Sequence, residues 1–562
     1  MDDKDINVQN LDKVTTLASD DYIVAMTDFI GTTVLETKAD FIADIISTDS
    51  NNNLSIGTDF NLFSNNSIIN IKNFGAIGDG ITNDTAAFSA AKAIGANIFL
   101  PKGSYLIDSS ALTISIPGQK IIGEGEKFSV IIPNGTEGVI LDGSASPAYR
   151  SHIGIKGIGI QSSTIISGSV GLKLYKIAES DIADVYIKGF DIGLYLQGAL
   201  INQFNNVTLE ANNTAIFFET TTSPTLNANL NAFYNSKIIN NYRQAVNYNS
   251  AGAGLSFINS EFESNGTSTS VSLEALSGQK VVTLTSVDNL ITGDTLILGA
   301  GTASYELGVI DTIDTVAKTV TLIDNLTNTQ AVAVVATLGL NQLYFNGVSG
   351  TGVQPSVSFY NCWFESNKGL TDIYFNAASA NGGMVIMGSS FYSTLTYHNI
   401  NHVQGNITVI GCGLNTSRTS PQRNVLLGAV TLGLMISNRL SSYLKDVSST
   451  VRVETTTGIL DTNLYLSSAK ALRFYLDTTH YHEIINGTSN RLFVTPYNNN
   501  DTEFSGGVRV QSTSAQILSG IDTPEGVVTA AVGSLFMRTN GGANTTLYVK
   551  ESGTGNTGWI AK

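Results

Sequence analysis

NNVTLEANN (Asn205 to Asn213), YNSKIINNY (Tyr234 to Tyr242), INSEFESNG (Ile258 to Gly266) and YNCWFESNK (Tyr360 to Lys368) repeat one pattern, a short apolar strand running into a turn that carries asparagine. Asn212, Asn241 and Asn265 stand 29 and 24 residues apart. A fixed period of this size marks a repeat architecture, and its length suits one winding of a parallel β-helix made of three short strands. Successive windings then pair edge to edge at about 4.8 Å, so that like residues stack in columns. Asparagine at the turns can hydrogen-bond along the stack and tolerates left-handed backbone, while Ile, Val and Phe fill the interior.

The next equivalent, Asn367, lies 102 residues beyond Asn265, far more than one winding needs. The excess coincides with KVVTLTSVDNLITGDTLILGAGTASYELGVIDTIDTVAKTVTLIDNL (Lys280 to Leu326), where strand-like runs alternate with turns such as TGD and DTVAK. Residues 277–338 therefore read as a small antiparallel β-domain inserted between neighbouring windings. Insertions leave a solenoid on one face, often the binding face.

Outside this core the chain divides further. Residues 1–69 contain DFIGTTVLETKADFIADII, whose apolar spacing predicts helix, followed by the polar run STDSNNN, and are expected to form a small head and linker. Residues 70–430 are the predicted β-helix. From 431 to 562 the texture changes to strand pairs with polar turns, a C-terminal β-region expected to cap the bare strand edges of the solenoid.

Composition agrees with an all-β chain and excludes several classes. The 562 residues are 14% charged and include 54 glycines, against about 25% charged in an average globular chain. Acidic residues outnumber basic ones, 46 to 30, giving a net charge of −16 that disfavours a nucleic-acid partner. Two cysteines, Cys362 and Cys412, fit neither a disulfide framework nor a zinc cluster. The acidic start MDDKDINVQN is unlike a secretory signal, and VLLGAVTLGLMI (Val425 to Ile436) is too short to span a bilayer, so membrane insertion is not expected. The expectation is a soluble protein made in a cytoplasm, with no metal and no cofactor.

One further stretch has a specific likeness. INIKNFGAIGDGITNDTAAFSAAKAIGANIFLPKGSYLI (Ile69 to Ile107), followed by IIGEGEKFSVI (Ile121 to Ile131), resembles the opening of the pectate-lyase-like superfamily of right-handed parallel β-helices found in phage tailspikes. Within it, Asp84 is expected to cap a short helix rich in alanine. The closing GSLFMRTNGGANTTLYVKESGTGNTGWIAK (Gly533 to Lys562) resembles the C-terminus common in tailspike and tail-fibre proteins. The resemblance implies a homotrimeric virion protein, its head attached to the phage tail or baseplate, its C-terminal region holding the trimer, and its β-helix binding and commonly cleaving a bacterial capsular or surface polysaccharide. It does not transfer catalytic residues, because the superfamily carries no single catalytic motif. A polysaccharide lyase and a non-enzymatic receptor-binding spike remain alternatives to a glycoside hydrolase.

Candidates for the chemistry come from the repeats. Glu210, Glu263 and Glu365 each precede the turn asparagine by two residues, and Ile239 holds that place in the intervening winding. Adjacent windings would put Glu263 and Glu365 near the roughly 5 to 5.5 Å of retaining glycosidases; Glu210 and Glu263, two windings apart, would sit at or slightly beyond the roughly 6.5 to 9.5 Å of inverting ones. Exposed strand-end glutamates without chemistry fit the same pattern. For sugar contacts, Trp363, Tyr242, Tyr234 and Tyr360 flank the same turns, and either Trp363 or Phe364 must point outward. Lys237 and Arg243 are the nearby cations and would suit an acidic sugar. The pairs His398/His402 and His480/His482 match no metal signature, although four-residue spacing in a strand would put His398 and His402 on one face.

Overall fold

The computed structural model describes residues 68–414, apart from short loop segments, together with residues 515–562 and individual strands elsewhere. Its dominant feature is a 32-stranded sheet. Nearly all of its pairings are parallel and join each strand to one about a winding away, the arrangement of a parallel β-helix. One series runs through Gly154–Gln161, Asp181–Lys188 and Gln203–Glu210, and another through Val170–Ala178, Ile192–Leu200 and Thr214–Glu219.

Each winding bends where a residue enters left-handed backbone. Asp184, Asn206, Asn235, Asn259 and Asn361 have φ between 51° and 55° and occupy equivalent places in consecutive windings. Ala211, Asn240, Ser264 and Ser366 form a second such set, directly before the turn asparagines. Asparagine carries most of the first set because its short polar side chain tolerates this conformation.

Behind the second bend the asparagines form a buried ladder. The Asn212 amide donates to Asn241 Oδ1 through its backbone N–H at 3.1 Å and its side chain at 3.2 Å. Asn241 repeats the contact to Asn265 at 3.2 and 2.9 Å. Asn265 repeats it to Asn367 at 3.1 and 3.0 Å, across the whole inserted domain. Asn367 ends the run on Ser393 Oγ at 3.2 Å. A parallel corner column contains Ser236, Ser260, Cys362, Ser389 and Cys412, with Cys362 N–H donating to Ser389 Oγ at 3.1 Å. Both cysteines are therefore buried corner thiols, and burial pushes the Cys362 thiol up to about 12.

Inside the prism aromatic rings stack in register. Phe204, Phe233, Phe257 and Phe359 stack with centroids 4.3, 5.0 and 5.4 Å apart, and Phe262, Phe364 and Phe391 at 4.9 and 4.4 Å. Each is fully buried and contributes roughly 1.5–3 kcal/mol of burial.

Several expectations change. Within the segment expected to be helical, Thr33–Thr37 is a strand paired antiparallel with Tyr22–Met26, the rest lying outside the described residues. Asp84 does precede the helix Thr85–Ala93, but its carboxylate accepts the N–H groups of Ile77 and Gly78, at 2.7 and 3.1 Å. Asn83 Oδ1 accepts the Thr85 N–H instead. The inserted sheet has six strands and begins at Ser268–Ser270, earlier than Ser277, because this strand pairs with Val335–Leu338. Parallel pairing also passes residue 430: Arg423–Ile436 pairs with Val451–Glu454. Residues 425–436 are thus part of a sheet strand, and no helix of the described residues is long and apolar enough to cross a membrane.

Residues 465–562 form a separate unit. It contains a three-stranded antiparallel sheet and a five-stranded sheet ending in Trp559–Ala561, the latter packed around Ala530, Phe536, Tyr548 and Trp559.

Asn265→Ala removes the acceptor of two Asn241 donors and the donor to Asn367 Oδ1 and Ile238 O. Buried groups left without partners cost about 1–3 kcal/mol each. Thermal unfolding should show a loss of at least about 3 kcal/mol, larger than for Asn265→Ser, which keeps an acceptor.

Candidate functional site

The residues that point outward from the second short strand of each winding form two adjacent columns. One contains Tyr186, Thr208, Lys237, Glu261, Trp363 and Ser390; the other contains Lys188, Glu210, Ile239, Glu263, Glu365 and Tyr392. Strand alternation places both columns on one face, since side chains two residues apart share a side of the sheet. Glu263 and Glu365 are therefore direct neighbours on adjacent windings, while Ile239 separates Glu210 from Glu263.

Electrostatics divides these carboxyl groups. A hydrogen bond with Glu261 raises the Glu263 pKa, reinforced by burial and by the charges of Glu261 and Glu365, and opposed by Lys237. Lys237 is ion-paired with Glu261 at 3.6 Å. Glu365 Oε2 accepts the Trp363 indole N–H at 2.8 Å. Trp363 points outward, 40% exposed, and Phe364 inward, fully buried. The indole stacks on Tyr392 with centroids 4.6 Å apart. One place thus holds a carboxyl whose pKa is raised, a second carboxyl bonded by an indole N–H, and a flat aromatic pair.

The other expected sugar contacts are dispersed. Tyr234 lies on the preceding short strand, in a column with Asn205, Ile258 and Tyr360, around the bend from Lys237. Tyr242 follows the asparagine corner, and its carbonyl accepts the Thr267 hydroxyl at the root of the inserted domain. Arg243 is not a free cation: its guanidinium grips Asp294 of the insert at 2.6 and 2.9 Å and also donates to the Asn289 carbonyl. It holds the insert against the β-helix. Arg243→Met should leave Asp294 buried and unpaired at a cost of about 3–5 kcal/mol, seen as faster proteolysis within residues 268–338.

The histidine pair also separates. His402 is fully buried and stacks on Phe375, whereas His398 is half-buried, because consecutive Asn399 and Ile400 both turn inward and break the alternation between them. The Asn406 carbonyl can only accept, so His402 Nε2 carries the proton, at 3.3 Å. Burial lowers the His402 pKa to about 4. His480 and the His482 side chain lie outside the described residues. No group of three or more metal-ligating side chains occurs among the described residues.

Because the folded His402 pKa lies below the unfolded value of about 6.5, the unfolded chain binds more protons between pH 6.5 and 4. His402 thus contributes fully to stability above pH 6.5, and about 3 kcal/mol is lost as pH falls through that window. Denaturation of His402→Phe followed against pH should show a flatter acid limb than the parent.

Sequence reasoning missed Glu261, Tyr392 and Tyr186. Glu261 was recoverable, standing two residues before Glu263 in the same strand. Tyr186 and Asp184 belong to DVYIKGF (Asp184 to Phe190), a winding of the same layout with phenylalanine at the corner. The Phe190 N–H bonds Asn212 Oδ1 at 3.1 Å, joining it to the ladder.

The model of the family described as rhamnogalacturonase A/epimerase, pectate lyase-like, matches residues 68–147. A comparison with curated proteins finds no match. Among solved structures, ORF18 of Geobacillus virus E2 is similar at 14% identity over 92% of this chain and 94% of that one, with a TM-score of 0.42. The Azotobacter vinelandii mannuronan C-5 epimerase AlgE6 A-module is similar at 13% identity over 69% and 98%, TM-score 0.43. The enzymatically active domain of bacteriophage CBA120 tailspike protein 2 is similar at 12% over 90% and 70%, TM-score 0.43. The parallel windings open on residues 68–147, the segment that matches the pectate-lyase-like family model.

Proposed function

We propose that this chain is a phage tailspike that binds a bacterial capsular or surface polysaccharide and cuts it within the chain by glycoside hydrolysis. The observation that carries this reading is the in-register pair Glu263 and Glu365 beside the Trp363–Tyr392 stack. Glycosidic hydrolysis needs one carboxyl protonated for the leaving oxygen and a second one ionised. Glu263, whose pKa is raised by its hydrogen bond with Glu261 and by burial, is the acid; Glu365, oriented by the indole, attacks the anomeric carbon or activates water. Neighbouring rungs, about 4.8 Å apart, favour the retaining course. Trp363 and Tyr392 offer the apolar surface on which a sugar ring packs.

A lyase would need a base. Burial and Glu210 push the Tyr186 phenol well above its ordinary value, and it donates to Glu210 at 2.8 Å, so it serves as a donor. The same reading makes the protein a virion component that works as a homotrimer, residues 1–69 attaching to the tail and residues 431–562 holding the three chains together.

Incubation with purified polysaccharides, followed by chain length and by absorbance near 232 nm, separates the alternatives. Hydrolysis shortens chains without an unsaturated product, elimination gives one, and a pure adhesin leaves length unchanged. Glu263→Gln and Glu365→Gln should each lower cleavage at least ~100-fold with unchanged thermal stability; full activity in both overturns the assignment. Because Glu261 raises the Glu263 pKa, activity should fall as pH rises through that raised value. Glu261→Gln should move this alkaline limb to lower pH, read from kcat/KM against pH.

A further inference from the structure

The ladder of turn asparagines has a direction. From Asn212 through Asn241 and Asn265 to Asn367, each side-chain amide donates toward the C-terminal windings and each carbonyl oxygen accepts from the N-terminal side. The winding after Asn367 carries Ser393 in that place, and its hydroxyl takes only the Asn367 backbone N–H. The Asn367 side chain turns to another acceptor: its Nδ2 donates to Asp372 Oδ1 at 3.1 Å.

A second polar column passes through Asp372. Ala215, Ala245, Gln342, Asp372, Asn399 and Asn424 each stand directly before a member of one stacked interior series, Ile216 to Val425, and all six are fully buried. Before the inserted domain the place holds alanine; after it the described members are polar. Asn424 Nδ2 donates to Asn399 Oδ1 at 3.0 Å, and Asn399 Nδ2 donates to Asp372 Oδ2 at 2.7 Å, so this column donates toward the N-terminal windings. The Thr396 hydroxyl reaches the same oxygen at 3.3 Å.

Two amide ladders of opposite polarity thus converge on one side chain. An ionised carboxylate accepts on both oxygens and donates on neither, whereas an asparagine there would turn an NH2 toward one of the incoming donors. The junction also lies behind the candidate site. Asn367 follows Glu365 by two residues, and Thr396 follows Tyr392 by four. Asp372 therefore fastens the corner that ends the strand Trp363–Glu365 to the winding that carries Tyr392.

We propose that Asp372 is a positioning residue, the junction of the two ladders that holds Glu365 and the Trp363–Tyr392 stack in register with Glu263. It acts through Asn367 and Thr396. Its effect on rate rests on the hydrolase reading above; its effect on Trp363 does not.

Of the two tryptophans, Trp363 is 40% exposed and Trp559 4%, so iodide quenching of the emission of the full chain reads Trp363. Asp372→Asn should change the quenching constant at least about twofold and, on a polysaccharide that the parent cuts, lower kcat about 100-fold, the cost of roughly 1 Å of misplacement. Asp372→Asn/Asn399→Asp moves the carboxylate one winding on, where it again receives one amide from each side, and should return both quantities to parental values. Parental quenching in Asp372→Asn, or a double variant that is not restored, overturns the proposal. Should Asp372→Asn fail to fold, the double variant decides alone: a folded protein with parental quenching supports the junction, and an unfolded one overturns it. If the parent cuts no polysaccharide, the quenching series still decides for Asp372 while the hydrolase reading falls.

Discussion

The buried asparagine ladder is the interaction on which the rest depends. Each rung makes two bonds to the next, from backbone and side chain to one carbonyl oxygen, so a winding cannot slip by a residue without breaking both. A one-residue slip in a sheet would turn every interior side chain outward. Register along the prism is therefore held by buried polar corners as well as by hydrophobic filling, and the cost of burying amides is offset because each is satisfied within the stack.

That register makes distant residues into neighbours. Glu263 and Glu365 are 102 residues apart and meet only because Asn265 and Asn367, at the same separation, are bonded. The inserted six-stranded domain is accommodated without disturbing the ladder, since it leaves at Ser268 and returns before Asn341. Arg243 and Asp294 then tie its base to the windings, which is why the most attractive cation near the turns is unavailable to a ligand. Outer and inner columns follow different rules: rings inside stack for burial, while outside the carboxyl groups, lysines and aromatics interact with each other and with solvent.

Much of the architecture was legible because each winding repeats its own chemistry. The spacing of Asn212, Asn241, Asn265 and Asn367 locates the turns, and alternation along WFE orients Trp363 outward and Phe364 inward. Reading failed where spacing lost its meaning. His398 and His402 look like a pair on one face, yet an irregularity between them sends one into the core. Asp84 looks like a helix cap, yet its carboxylate serves a loop that lies before it in the chain. The apolar period of the head suggested helix where Thr33–Thr37 pairs as strand, since short apolar runs fit both periods.

By itself the sequence determined the repeat, the class of the sheet, the corner residues and the column that carries Glu210, Glu263 and Glu365, because period and alternation are local properties of a chain. Only the tertiary structure decided which groups share charge: Glu261 with Glu263, Trp363 with Glu365, Tyr186 with Glu210, and Arg243 with Asp294. Hydrogen bonds and electrostatic forces act over a few ångströms of space, and the distance between residues along the chain does not contain that information until the windings are stacked.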